Sequence, residues 1–112
     1  MTESAALTVL TTTDSEEKAR ALARDAVDAR LAACAQISGP VTSVYRWEGA
    51  VETGEEWQVL FKTTAHRYDE LEAHLLAAHD YETPEIIATP VVRGSRRYLA
   101  WVAAETAPAA AL

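Results

Sequence analysis

A histidine, three carboxylates and a phenol crowd the run HDYETPEII, from His79 to Ile87. Asp80, Glu82 and Glu85 offer hard oxygen donors and His79 a borderline nitrogen, a mixture that suits several divalent cations. His79 and Glu82 are therefore the candidate metal ligands. The same letters also make a helix-to-strand connector. Pro84 ends any helix before it, and Ile86 and Ile87 open a β-branched run that wants burial.

The other reactive side chains sit in weaker patterns. His66 and His74 lie eight apart on a predicted helix, which is not the i, i+4 spacing of a helical metal site, and both read as surface residues. Cys34, between Ala33 and Ala35, reads as a small buried hydrophobe at the start of an inner strand. No histidine or lysine is near it in sequence to activate the thiol. Glu82 and Glu85 flank Thr83 and Pro84, too close along an extended chain to be the opposed acid and base of a glycosidase. No nucleophile and base stand at motif spacing, so the expectation is a protein without enzymatic activity.

The elements that must position these groups follow from periodicity. Leu7 to Thr13 is a β-branched run without Gly or Pro and predicts a first strand. Asp14, with Glu17 three positions on, reads as the cap of a helix running to about Ala33, its inner stripe formed by Leu22, Ala26, Ala29 and Ala33. Cys34 to Trp47 and Ala50 to Thr63 read as two long strands joined at Glu48–Gly49, with a bulge or bend at Gly39–Pro40. Thr64 caps a second helix, with Asp69 and Glu70 in its first turn and Tyr68, Leu71, Leu75 and Ala78 along its inner face. A strand at IIATPVV and a short helix capped by Ser95 complete the order βαββαβα. Two βαβ halves joined by a hairpin predict an α+β, ferredoxin-like split βαβ sheet with both main helices on one face.

At about 3.3 Å per residue the hairpin strands reach well past 40 Å, about twice an ordinary strand. Half of the hairpin therefore overhangs the domain. An overhang that carries Tyr45, Trp47 and Trp57 predicts pairing with another subunit, since bare apolar edges aggregate. Glu48, Glu52, Glu55 and Glu56 give it an acidic, solvated tip.

With 112 residues, 49% of them hydrophobic, the chain reads as one domain over residues 1–106 with a disordered Ala/Pro tail at 107–112. A net charge of −7 repels phosphate backbones and anionic lipid, so neither nucleic acid nor membrane is an expected partner. No secretory signal is read in the first residues. A lone cysteine fits a reducing, cytoplasmic setting.

Four blocks, LAAC at Leu31 to Cys34, SVYRWEG at Ser43 to Gly49, FKTT at Phe61 to Thr64 and YETPEI at Tyr81 to Ile86, occur together with a looser block, PVVRGSRRYLAW, from Pro90 to Trp101. In that order they resemble the CutA divalent-cation-tolerance proteins over about residues 7 to 104. The resemblance implies a cytoplasmic homotrimer, linked to tolerance of copper and other divalent metals, with no established reaction. It implies possible binding of Cu(II) or another divalent cation, with no obligatory cofactor. Some family members carry a cysteine early in the first strand where this chain has Thr11, so of the metal-ligand positions only His79 carries over. A second reading draws on the PII signalling proteins, which share the trimeric ferredoxin-like plan. It is a small-molecule sensor with an inter-subunit cleft formed by Arg46, Trp47, Lys62, Tyr81 and Glu85.

Overall fold

The structure, a computed structural model, describes residues 5–108. Its elements are β1 (Ala6–Thr13), α1 (Glu16–Asp28), β2 (Cys34–Trp47), β3 (Ala50–Thr64), α2 (Ala65–Ala78), β4 (Ile86–Pro90) and α3 (Arg96–Glu105). The strands form one antiparallel sheet in the order β2-β3-β1-β4, the split βαβ arrangement. The predicted order and fold class hold. The tail from residue 109 onward lies outside the described residues, while the Ala107 carbonyl accepts from Arg30 Nε at 3.1 Å.

Because side chains alternate along a strand, the registers divide the sheet into two faces. Val9, Thr11 and Thr13 share one face with Val59, Phe61 and Thr63. Ala19, Leu22, Ala23 and Ala26 of α1 and Leu71 and Leu75 of α2 close over that face to make the core. The stripe of alanines lets α1 lie close against the strands, since small side chains permit short separations. Leu10, Leu60 and Ile87 occupy the other face, where Leu10 and Leu60 are half-buried and Ile87 is exposed.

Several boundaries differ from the sequence reading. Ser15, not Asp14, caps α1, its hydroxyl accepting from the Lys18 amide at 3.1 Å, and Asp14 instead accepts from Lys18 Nζ. The helix stops at Asp28 rather than near Ala33. Arg30 takes a left-handed φ of 61°, and the Leu31 amide reaches back to the Ala26 carbonyl at 3.0 Å, a Schellman closure with arginine where glycine is usual. That arginine is held there: its carbonyl accepts from Arg67 Nε, and its guanidinium donates to the Ala104 and Ala107 carbonyls of α3 and its end. The first turn of α2 holds no acid; Glu70 pairs with the buried Arg67 at 2.8 Å. β4 ends at Pro90, short of the valines at 91 and 92. Because β2 is an edge strand, Cys34 is not on an inner one, and it is half-buried with its Sγ 3.5 Å from the Tyr98 hydroxyl.

The hairpin takes its expected form. Glu48 and Gly49 both have positive φ, at 48° and 83°, so the strands turn in two residues with the twist that favours pairing. The register shifts between Ser38 and Val41, at Gly39–Pro40. A Cβ on Gly39 would stand 2.8 Å from Trp57 Cδ1, so only glycine lets Trp57 pack there. Pairing of β3 with β1 begins only at Trp57. Among the described residues, from Val41 and Glu56 outward β2 and β3 pair only with each other, and Val44, Tyr45, Trp47 and Val51 are exposed.

Candidate functional site

Overhang and connector together line an open cleft of about 660 Å³. Its walls include Tyr45, Arg46 and Trp47 from β2, Glu56 from β3, and Tyr81, Glu82 and Glu85 from the connector. Tyr81 ties the walls together by donating its hydroxyl to Glu56 Oε2 at 2.8 Å. Partial burial and the carboxylate beside it push the Tyr81 phenol well above its ordinary range, so it stays a donor at neutral pH. Of the five residues expected in an inter-subunit cleft, Arg46, Trp47, Tyr81 and Glu85 line this hollow of the single chain. Lys62 does not. It lies near the other end of β3, opposite Cys34, and donates to Gln36 Oε1 at 2.6 Å.

His79 is the C-cap of α2, and its side chain is wholly buried. Nε2 stands 2.7 Å from the Thr12 carbonyl, so it carries the proton and donates; Nδ1 accepts from the Tyr81 amide at 3.1 Å. The Tyr81 ring lies against the imidazole with centroids 4.6 Å apart. Both nitrogens are therefore engaged in fixing the connector to β1. His79 and Glu82 also face different hollows, since His79 lines a smaller one of about 240 Å³ with Lys18, Asp25 and Asp80. Lys18 donates to both Asp14 and Asp80, which raises the lysine well above its ordinary range and lowers Asp80, chiefly through that hydrogen bond. An ammonium beside Asp80 opposes a divalent cation there. The arrangement around His79 does not fit a metal: its nitrogens are committed and a cation already neutralises its neighbour. Among the described residues no group of three or more His, Cys, Asp or Glu side chains is placed to hold one.

Of the remaining candidates, His66 is exposed, while His74 is half-buried with Nε2 lacking a partner, so only His66 matches the surface reading. The sequence reading passed over Glu56 as a tip carboxylate. No local signal marks it, because its partner Tyr81 lies 25 residues away.

The sequence profile of the CutA1 divalent ion tolerance proteins matches residues 7–105. The chain belongs to the CutA1 family. A divalent-cation tolerance protein CutA of Thermus thermophilus is 45% identical over 98 residues, covering 88% of this chain and 95% of that protein. The solved CutA1 of Oryza sativa superposes with a TM-score of 0.91 at 36% identity, covering 96% of this chain and 98% of that one. A protein of Archaeoglobus fulgidus, described as a periplasmic divalent cation tolerance protein CutA, superposes with a TM-score of 0.88 at 31% identity and covers 91% and 99%. Two of the sequence blocks flank the cleft, SVYRWEG on the hairpin and YETPEI on the connector. Among the described residues no helix is long and apolar enough to cross a membrane.

Proposed function

We propose that this CutA1 protein serves divalent-metal tolerance without catalysis, as a cytoplasmic homotrimer whose working surface is the cleft beneath the hairpin. The observation that carries the reading is the overhang, which leaves apolar strand edges bare in one subunit and walls a cleft at its base. A second copy covering those edges relieves the aggregation hazard of an open sheet. The relatives' names support the tolerance role, and the lone cysteine supports a reducing compartment. Cu(II) or another divalent cation would meet the oxygens of Glu82 and Glu85 at the cleft wall. His79 could join them only by giving up its bond to Thr12 or to Tyr81.

The test is calorimetric titration of metal-free protein with Cu(II) and Zn(II), using wild type, Glu82→Gln/Glu85→Gln and His79→Ala, with oligomer mass recorded alongside. Saturable binding lost in the double glutamine variant supports the cation reading, and a mass of three chains supports the trimer. A trimer that takes up neither ion sinks the cation reading.

One observation favours a second reading, a PII-like small-molecule sensor. The cleft falls in the ~300–1,000 Å³ range of ligand pockets and joins a guanidinium, carboxylates and aromatic walls. A thermal-shift panel of nucleotides and organic anions tests it, and no stabilisation by any of them counts against it.

A further inference from the structure

The open cleft beneath the hairpin combines acid with bare aromatic surface. Glu56, Glu82 and Glu85 stand on its walls against one guanidinium, that of Arg46, so carboxylates outnumber cations three to one. Among the described residues none of these four side chains forms an ion pair. Tyr81 donates to one oxygen of Glu56, and a neutral phenol leaves that charge in place. A cleft lined mainly by one sign of charge concentrates the opposite sign, so this hollow draws cations and repels phosphates.

The rings decide which kind of cation. Tyr45 and Trp47 are two residues apart on β2, hence on the same pleat, and are 47% and 40% exposed. Among the described residues neither stacks on another ring, whereas the Tyr81 ring is already committed to His79 and its hydroxyl to Glu56. Arg46 leaves β2 on the opposite pleat, so its positive charge is set apart from the two ring faces. An aromatic face attracts positive charge through its quadrupole, and a cation clothed in methyl groups gains apolar contact from the same face. A bare inorganic ion uses neither ring and little of a volume of about 660 Å³.

We propose that the cleft is a binding site for organic cations of the quaternary ammonium class. The methylated head lies against Tyr45 and Trp47, within the field of Glu82 and Glu85. Such a head donates no hydrogen bond and accepts none, so it needs only ring faces and charge, which are what the Tyr81–Glu56 bond leaves unused. The inference rests on the small-molecule reading of the cleft given above and adds the chemical class of the ligand.

The experiment is calorimetric titration of the whole protein with choline, its uncharged carbon isostere dimethylbutanol, citrate, ATP and Zn(II), at low and physiological salt. Wild type is compared with Trp47→Leu and Glu82→Gln/Glu85→Gln, each checked for native circular dichroism and oligomer mass. Choline is expected to bind saturably and dimethylbutanol about tenfold more weakly, with each variant losing about threefold or more in choline affinity. Rising salt is expected to weaken choline and to leave the alcohol unchanged. Should Trp47→Leu alter the fold or the mass, Tyr45→Leu replaces it, and the comparison of choline with its isostere needs no variant at all. Dimethylbutanol bound as tightly as choline, or choline affinity unchanged in both variants, overturns the proposal. Citrate, ATP or Zn(II) bound while choline is ignored leaves the cleft open to another ligand and overturns its assignment to organic cations. A protein that binds none of these compounds overturns this proposal and the small-molecule reading together.

Discussion

Replacing Tyr81 by phenylalanine removes one atom from the cleft and tests whether the connector is bonded to the hairpin as described. The ring and its 4.6 Å contact with His79 remain; only the 2.8 Å bond to Glu56 is lost. A hydrogen bond to a charged group contributes about 1.5–3 kcal/mol. Glu56 is half-buried beside an open cleft and regains water in the variant, so the expected loss is nearer 1 kcal/mol. In a domain of this size that lowers Tm by roughly 4 °C. Wild type and Tyr81→Phe are compared by thermal and urea unfolding at matched protein concentration, because assembly also shifts Tm. The pH dependence adds a second check. The folded phenol is raised above its ordinary value of 10.0, so its contribution is complete below that pH and is lost only as pH rises through the higher folded value. The stability gap is therefore flat from about pH 6 to about pH 9 and closes only in stronger alkali. A variant as stable as wild type, or a gap that closes already near neutrality, would refute the bonded connector.

Three further changes probe the frame around the cleft. His79→Ala removes a wholly buried ring and both of its hydrogen bonds, and is expected to cost about 2–4 kcal/mol by urea unfolding in metal-free buffer. Unchanged stability there would mean that the ring is not a strut. Gly39→Ala drives a methyl to within 2.8 Å of Trp57 and 3.0 Å of the Glu56 carbonyl at a φ of 149°, with an expected loss of about 1–3 kcal/mol; a neutral result would show that the bulge yields. Asp80→Asn frees the connector from Lys18, and faster amide hydrogen exchange at residues 79–85 is the expected readout. Because the Asp80 carboxyl is lowered, the wild-type restraint exists above its ordinary value and fades as pH falls through the lower folded one; exchange that ignores both acid and the mutation counts against it.

The fold was legible because its signals are local and periodic. Glu48–Gly49 names a two-residue turn, Gly39–Pro40 names a bulge, and strand length alone implied the overhang. The misread boundaries have equally local causes. Asp14 and Ser15 are both good caps, and which one binds the helix was decided by Lys18, whose ammonium draws Asp14 away. The end of α1 was invisible because Arg30 occupies the left-handed position where a glycine would have marked the stop. What makes arginine tolerable there is a set of bonds to Arg67, Ala104 and Ala107, all distant in sequence.

The site was harder to read for the same reason. Composition placed His79 among carboxylates and so suggested a ligand, but a ligand needs a free lone pair, and lone pairs are allocated by tertiary contacts. Thr12 and the Tyr81 amide claim both ring nitrogens, and Lys18 arrives from another helix to claim Asp80. The imidazole thereby becomes the strut that fixes where Tyr81 stands, and Tyr81 in turn holds Glu56 at the base of the overhang. A single chain of bonds thus runs from β1 through the connector to the hairpin. If the hairpin is what a second subunit grips, the residues with the most metal-like chemistry act on the cleft by setting its shape, and the carboxylates left free to meet a cation are Glu82 and Glu85 on its wall.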